Sequence, residues 1–63
     1  MINFYDVQQL LKSFDIIIYM KDREHLLQLV EFEIRELYRL SLISQNDFLR
    51  AITIIKKERR LIA

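Results

Sequence analysis

Glycine, proline and cysteine are all absent from this 63-residue chain. Average usage of the first two is about 7% and 5%, so several of each are missing. Without glycine, any turn that needs a positive φ must use Asp, Asn or another residue at some cost. Small sheet-rich domains rely on glycine at tight turns, so the composition favours helices. The same absence removes the Gly-rich phosphate loops, both the P-loop and the dinucleotide fingerprint. Without cysteine there is no disulfide and no thiolate metal site to staple a small fold. Long apolar runs are missing too. The longest, Ile16 to Met20, is far short of the roughly 20 residues that span a bilayer. The start, Met1 to Asp6, lacks the basic segment of a secretory signal, and no small-residue cleavage site follows an apolar run. These absences predict a cytoplasmic protein with no membrane role.

What is present is a hydrophobic content of 52%, too high for disorder to be the default. The length permits one domain, residues 1–63. Such a chain buries only about 60% of its unfolded surface. We expect an isolated stability of roughly 3–5 kcal/mol, drawn from helix packing, self-association or both. The net charge of +1 points to no partner, but its distribution is uneven. Residues 44–63 hold Arg50, Lys56, Lys57, Arg59 and Arg60 against only Asp47 and Glu58.

Three helices are predicted, over about residues 4–14, 23–40 and 45–61. Asn3 is a good N-cap, with Asp6 three residues later to suit the positive helix start. Phe4, Val7, Leu10, Leu11 and Phe14 then fall within about 120° of arc. Tyr5, Gln8, Gln9 and Lys12 lie on the other side. The run Ile16-Ile17-Ile18-Tyr19-Met20 has no clear helical period and three β-branched residues in succession. It reads as an extended connector over the core; a strand would lack a second strand to pair with.

The second helix starts at the cap Asp22. Leu26, Leu27, Leu29, Val30, Ile34, Leu37, Tyr38 and Leu40 cover about 180° of arc, which places this helix between the other two. Glu31 and Arg35 form an i,i+4 pair on its outer face. Ser44-Gln45-Asn46-Asp47 resembles a capping box, and Ile43 with Phe48 fits a hydrophobic staple. Phe48, Ala51, Ile52, Ile55 and Ile62 share one face of the third helix. The predicted fold is all-α, a compact three-helix bundle with the second helix central. A helix-turn-helix DNA reader fits less well, because its turn often contains glycine and the second helix here is too long and too buried.

Little in the chain suggests catalysis. Ser44 is explained by capping, and His25, the only histidine, falls on a polar face with no second ligand for a triad or a zinc site. We therefore expect no enzyme, no cofactor, no metal and no small-molecule ligand. Glu33 falls at about 60° on the wheel, inside the apolar arc, where a carboxylate needs a cationic or backbone partner. The strongest candidate surface is basic. Arg50, Lys56, Lys57 and Arg60 lie opposite the apolar face of the third helix, in a row suited to phosphates. Lys12 and Tyr5 on the first helix are candidates to flank it, Tyr5 by base stacking. Arg59 lies nearer the apolar side. Phe32, Ile54 and Leu61 are left-over apolar groups that suit a homodimer.

The segments Phe4-Tyr5-Asp6-Val7-Gln8-Gln9-Leu10-Leu11-Lys12, Ile18-Tyr19, Glu33-Ile34-Arg35-Glu36-Leu37-Tyr38 and Leu42-Ile43 resemble the YqgQ-like family of short bacterial proteins, over essentially the whole chain. The resemblance implies a compact three-helix bundle, a cytosolic location, no known enzymatic activity and a proposed role in binding single-stranded nucleic acid. The family pattern has glycines after the first helix, before the second and near its end, where this chain has Asp15, Lys21 or Asp22, and Ser41. No functional motif of the family maps onto it residue by residue, so the site residues are those of the helical wheel. The residues and the resemblance together suggest a binding module for single-stranded RNA or DNA. The alternative is a protein-interaction module or homodimeric adaptor.

Overall fold

The computed structural model describes residues 1–62. Three helices follow one another: α1 (Phe4–Lys12), α2 (Arg23–Arg39) and α3 (Gln45–Ile62). Each begins where a local side chain can satisfy orphan amides. Asn3 Oδ1 accepts from the Asp6 N–H, while the Asp6 carboxylate accepts from the Asn3 and Ile2 N–H groups. The box is therefore reciprocal. Asp22 accepts from the Glu24 N–H, and Ser44 Oγ from the Asp47 N–H. Ile43 is buried and Phe48 packs against the core, as a staple requires.

The helix ends show how the chain turns without glycine. Asp15 and Ser41 are the non-glycine residues with positive φ, both at 61°. After α1, the Asp15 N–H donates to the Lys12 carbonyl and the Ile16 N–H to the Leu11 carbonyl, at 2.9 and 3.0 Å. After α2, the Ser41 N–H donates to the Tyr38 carbonyl and the Leu42 N–H to the Leu37 carbonyl, both at 2.9 Å. Both sets are the paired bonds of a Schellman closure around a left-handed residue. Asp15 and Ser41 are two of the three places where the family pattern has glycine. At the third, Lys21 or Asp22, neither residue has a positive φ, and Asp22, at φ −75°, serves as an N-cap. The first closure also explains why α1 stops at Lys12 rather than at residue 14: its last turn already tightens into the i→i+3 bonds of Phe14 and Asp15.

The core consists of Phe4, Val7 and Leu11 of α1, Leu26, Leu27, Val30, Ile34 and Leu37 of α2, Ile43, and Ala51 and Ile55 of α3. The second helix supplies its largest share, and α2 with α3 forms the principal packed pair. They are antiparallel, joined by a short loop. Tyr38 near the end of α2 stacks on Phe48 near the start of α3, centroids 4.3 Å apart and planes within 9°. At the opposite end Arg23 meets Glu58 at 3.0 Å.

Two wheel assignments need correction. On α2 the buried residues span only about 100° of arc, narrower than predicted. Leu29, Tyr38 and Leu40 are partly exposed, and Glu33 falls just outside the stripe, half-buried. It has no hydrogen-bonding or ionic partner among the described residues, and at that exposure water can solvate it. On α3, Ile62 is largely exposed, as is Leu61. Arg59 already reaches Glu24 in the first turn of α2, so the last residues of α3 run past the start of its neighbour.

Candidate nucleic-acid interface

The arginines divide into two groups. Arg23, Arg35, Arg39 and Arg59 are all held by carboxylates. Arg23 donates to Glu58 at 3.0 Å and lies over the Phe4 ring, 4.7 Å from its centroid. Arg39 donates to Glu36 at 2.7 and 3.1 Å. Arg35 donates twice to Glu31, at 2.8 and 3.0 Å. Arg59 crosses from α3 to the other oxygen of Glu31 at 3.1 Å, and its Nε faces Glu24 at 3.4 Å without the alignment of a hydrogen bond. Glu31 thus joins two arginines from two helices. Burial pushes its carboxyl up, but the hydrogen bonds and charges of Arg35 and Arg59 outweigh this and hold it below its ordinary value. Arg39 does the same for Glu36.

The residues of the predicted strip behave differently. Arg50, Lys56, Lys57 and Arg60 are all exposed, and none forms an ion pair among the described residues. The two acidic residues of α3 lie elsewhere on its circumference: Asp47 in the first turn, and Glu58 turned to Arg23. Arg50 lines a shallow depression of about 330 Å³ with Met1, Leu49, Thr53 and Ile54. The Thr53 hydroxyl donates to the Leu49 carbonyl, leaving its oxygen free only to accept.

Tyr5 and Lys12 are exposed on α1, Tyr5 at 62%. Lys12 lines a groove of about 250 Å³ with Gln8, Gln9, Leu11, Ile16–Ile18 and Val30. That groove shares no residue with the depression at Arg50. His25 is exposed, its Nδ1 3.5 Å from Asp22. Phe32 is 58% exposed beside the Glu31–Arg35–Arg59 cluster, whereas Ile54 is partly packed on the core. No helix among the described residues is long and apolar enough to cross a membrane.

Sequence reasoning found the Glu31–Arg35 pair but missed the role of Arg59 and the Arg23–Phe4 contact. A signal was available. In an antiparallel hairpin the start of α2 must adjoin the end of α3, and the opposite charges of Arg23-Glu24 and Glu58-Arg59 complement each other there.

The fold and surface define a small all-α three-helix bundle whose third helix carries a cationic strip with no ion pair among the described residues. The chain matches the YqgQ-like family over residues 1–61. It is also 44% identical over 55 residues to "Uncharacterized protein YqgQ" of Bacillus subtilis (strain 168), an alignment covering 87% of this chain and 78% of that protein. The chain belongs to the YqgQ-like family.

Proposed function

We propose that this protein is a binding module for single-stranded nucleic acid rather than a catalyst, and that the outer face of α3 is its contact surface. The observation carrying this reading is that Arg50, Lys56, Lys57 and Arg60 are exposed and have no ion pair among the described residues, while the other four arginines are neutralised by carboxylates. A phosphate backbone supplies the missing counter-charge, and binding releases the condensed cations around it. The flat, open surface suits a backbone-tracking contact better than readout of base edges. Tyr5 and Lys12 are secondary in this reading, engaged only where the strand extends over α1.

The test is a fluorescence-anisotropy titration with short single-stranded RNA and DNA at two salt concentrations. Four phosphate contacts give a log–log salt slope no steeper than roughly −3 for single strands. The double variant Lys56→Glu, Lys57→Glu should abolish binding, and Lys12→Glu should weaken it less. An absence of binding at low salt ends the proposal. Binding that survives the double variant moves the site off α3.

A further inference from the structure

The connector between α1 and α2 offers a second surface. Ile16 to Met20 is uncharged and rich in β-branched side chains, and runs without a hydrogen-bonded turn or a bend. Its burial alternates as in an extended chain: Ile16 and Ile18 pack on the core, while Ile17 and Tyr19 are 77% and 90% exposed. Of the backbone groups from residue 16 to residue 21, only the Ile16 N–H has a partner among the described residues, the Leu11 carbonyl. In an extended chain, successive residues direct their N–H and C=O groups to opposite edges. Ile16 faces α1, so Ile18 and Met20 share that inner edge. Ile17 and Tyr19 present their peptide groups to the outer edge, where nothing meets them.

We propose that this outer edge pairs antiparallel with the same segment of a second copy of the chain, about a two-fold axis at Ile18. In this register Ile17 faces the partner's Tyr19, and Tyr19 the partner's Ile17. Each is a hydrogen-bonded pair, giving about four inter-chain bonds made by the amides left free. The β-branched and aromatic side chains fall on one face as favourable cross-strand neighbours. Charge selects the occupant and the direction. Asp15 and Lys21 lie exposed at opposite ends of the segment, so antiparallel pairing sets each acid against the partner's base, twice. Parallel pairing would set like against like. The segment is thus its own complement, and a two-fold contact closes on itself instead of propagating from an open edge. So short a ribbon makes a weak, concentration-dependent dimer. The inference is independent of the nucleic-acid reading, because the α3 strip takes no part in it.

The test exploits a chain with no cysteine of its own. The single variants Ile17→Cys and Tyr19→Cys change exposed residues and leave the core intact. Equal amounts are mixed in a glutathione redox buffer, and the disulfide-linked dimers are weighed by mass spectrometry. In the proposed register residues 17 and 19 of two copies have Cα atoms about 5.5 Å apart, within disulfide reach. Like positions are more than about 7 Å apart, beyond it. The mixed 17–19 dimer should therefore exceed the two symmetric dimers together severalfold, where random pairing gives equal amounts. The average mass of the unmodified protein in sedimentation equilibrium should rise with concentration, and Lys21→Asp should suppress that rise. A statistical mixture of linked dimers overturns the register. A monomer mass at every concentration overturns the dimer. Lys56→Glu with Lys57→Glu should leave self-association unchanged, which separates its failure from that of the nucleic-acid reading.

Discussion

Ser41→Gly should stabilise this protein, although it deletes a side chain and adds none. Ser41 holds φ 61° and is exposed, so the substitution disturbs no packing. The two bonds of the closure, Ser41 N–H to Tyr38 and Leu42 N–H to Leu37, are made by the backbone and survive. A β-carbon in the left-handed region costs roughly 1–2 kcal/mol. Glycine returns about 0.5–1 kcal/mol of this through the greater freedom of its unfolded chain. The net gain is about 0.5–1 kcal/mol, or roughly 4–8 °C in Tm for a domain of this size. Ser13→Gly is the matched control. Ser13 has φ −64°, where glycine relieves nothing, and its hydroxyl donates to the Leu10 carbonyl. That variant should lose about 0.5–1 kcal/mol. Thermal melts by circular dichroism and urea titrations with an unchanged m-value measure both. If Ser41→Gly lowers the midpoint, or if both variants move it the same way, left-handed strain at residue 41 does not govern the α2 end.

Other variants and conditions probe the remaining layers of the structure. Leu27, fully buried in the core, should cost roughly 2–5 kcal/mol as Leu27→Ala; measured against a total near 3–5 kcal/mol, this removes about 40% or more of the stability, read as a large drop in the thermal midpoint by far-UV circular dichroism. Asn3→Ala breaks the reciprocal box and should cost about 0.5–2 kcal/mol in urea, with Asp6→Ala showing a partly overlapping loss because the two share one network. The carboxyls of Asp6, Glu31 and Glu36 are all held below their ordinary values. A depressed folded value gives stability that is present above the unfolded value and lost as pH falls through the folded one. Stability should therefore decline from the ordinary glutamate value of 4.5 downward, and Glu31→Gln should flatten that decline; an unaltered pH profile in this variant would remove Glu31 from the account.

The caps were legible in the sequence because they are local. Asn3 with Asp6, Asp22, and Ser44 with Ile43 and Phe48 each act within five residues, so spacing alone carries the physics. Asp15 is a residue type that tolerates the left-handed region, whereas Ser41 carries no such signature, and only the resemblance pointed to its position. What the wheel misjudged depends on neighbours. How wide a stripe α2 buries is set by the helices packed against it, which leaves Glu33 at the margin and Leu40 outside. Arg59 was legible as lying near the apolar side of its helix, but its reach to Glu31 and Glu24 depends on how α2 packs beside α3. The connector showed no period when tested for a helix; its period of two becomes visible once the core tells inside from outside. Of the candidate site, the exposure of the strip was legible, while its lack of counter-charges became visible only when the carboxylates of Glu24, Glu31, Glu36 and Glu58 had been traced to other arginines.

That lack of counter-charges has an energetic consequence that ties stability to function. Lys56 and Arg60 are an exposed i,i+4 pair of like charge, which destabilises a helix by about 0.2–0.5 kcal/mol. Glutamate at position 56 would replace this repulsion with an attraction in the favourable order, acid before base, of similar size. It would stand more than one turn from the end of α3, beyond the reach of the helix dipole. Lys56→Glu should therefore raise stability by about 0.4–1 kcal/mol, measured by urea unfolding at low salt, and the gain should shrink as salt screens it. The same variant should weaken single-strand binding and make its salt slope shallower by more than one contact's worth, because it removes one cation and adds an anion beside two others. A surface selected only for stability would carry glutamate there; a surface that holds phosphates keeps the repulsion as its cost. If Lys56→Glu binds as the natural protein does while melting higher, the strip is merely a solvated face. If it melts lower, the like-charge argument for α3 fails before any ligand is considered.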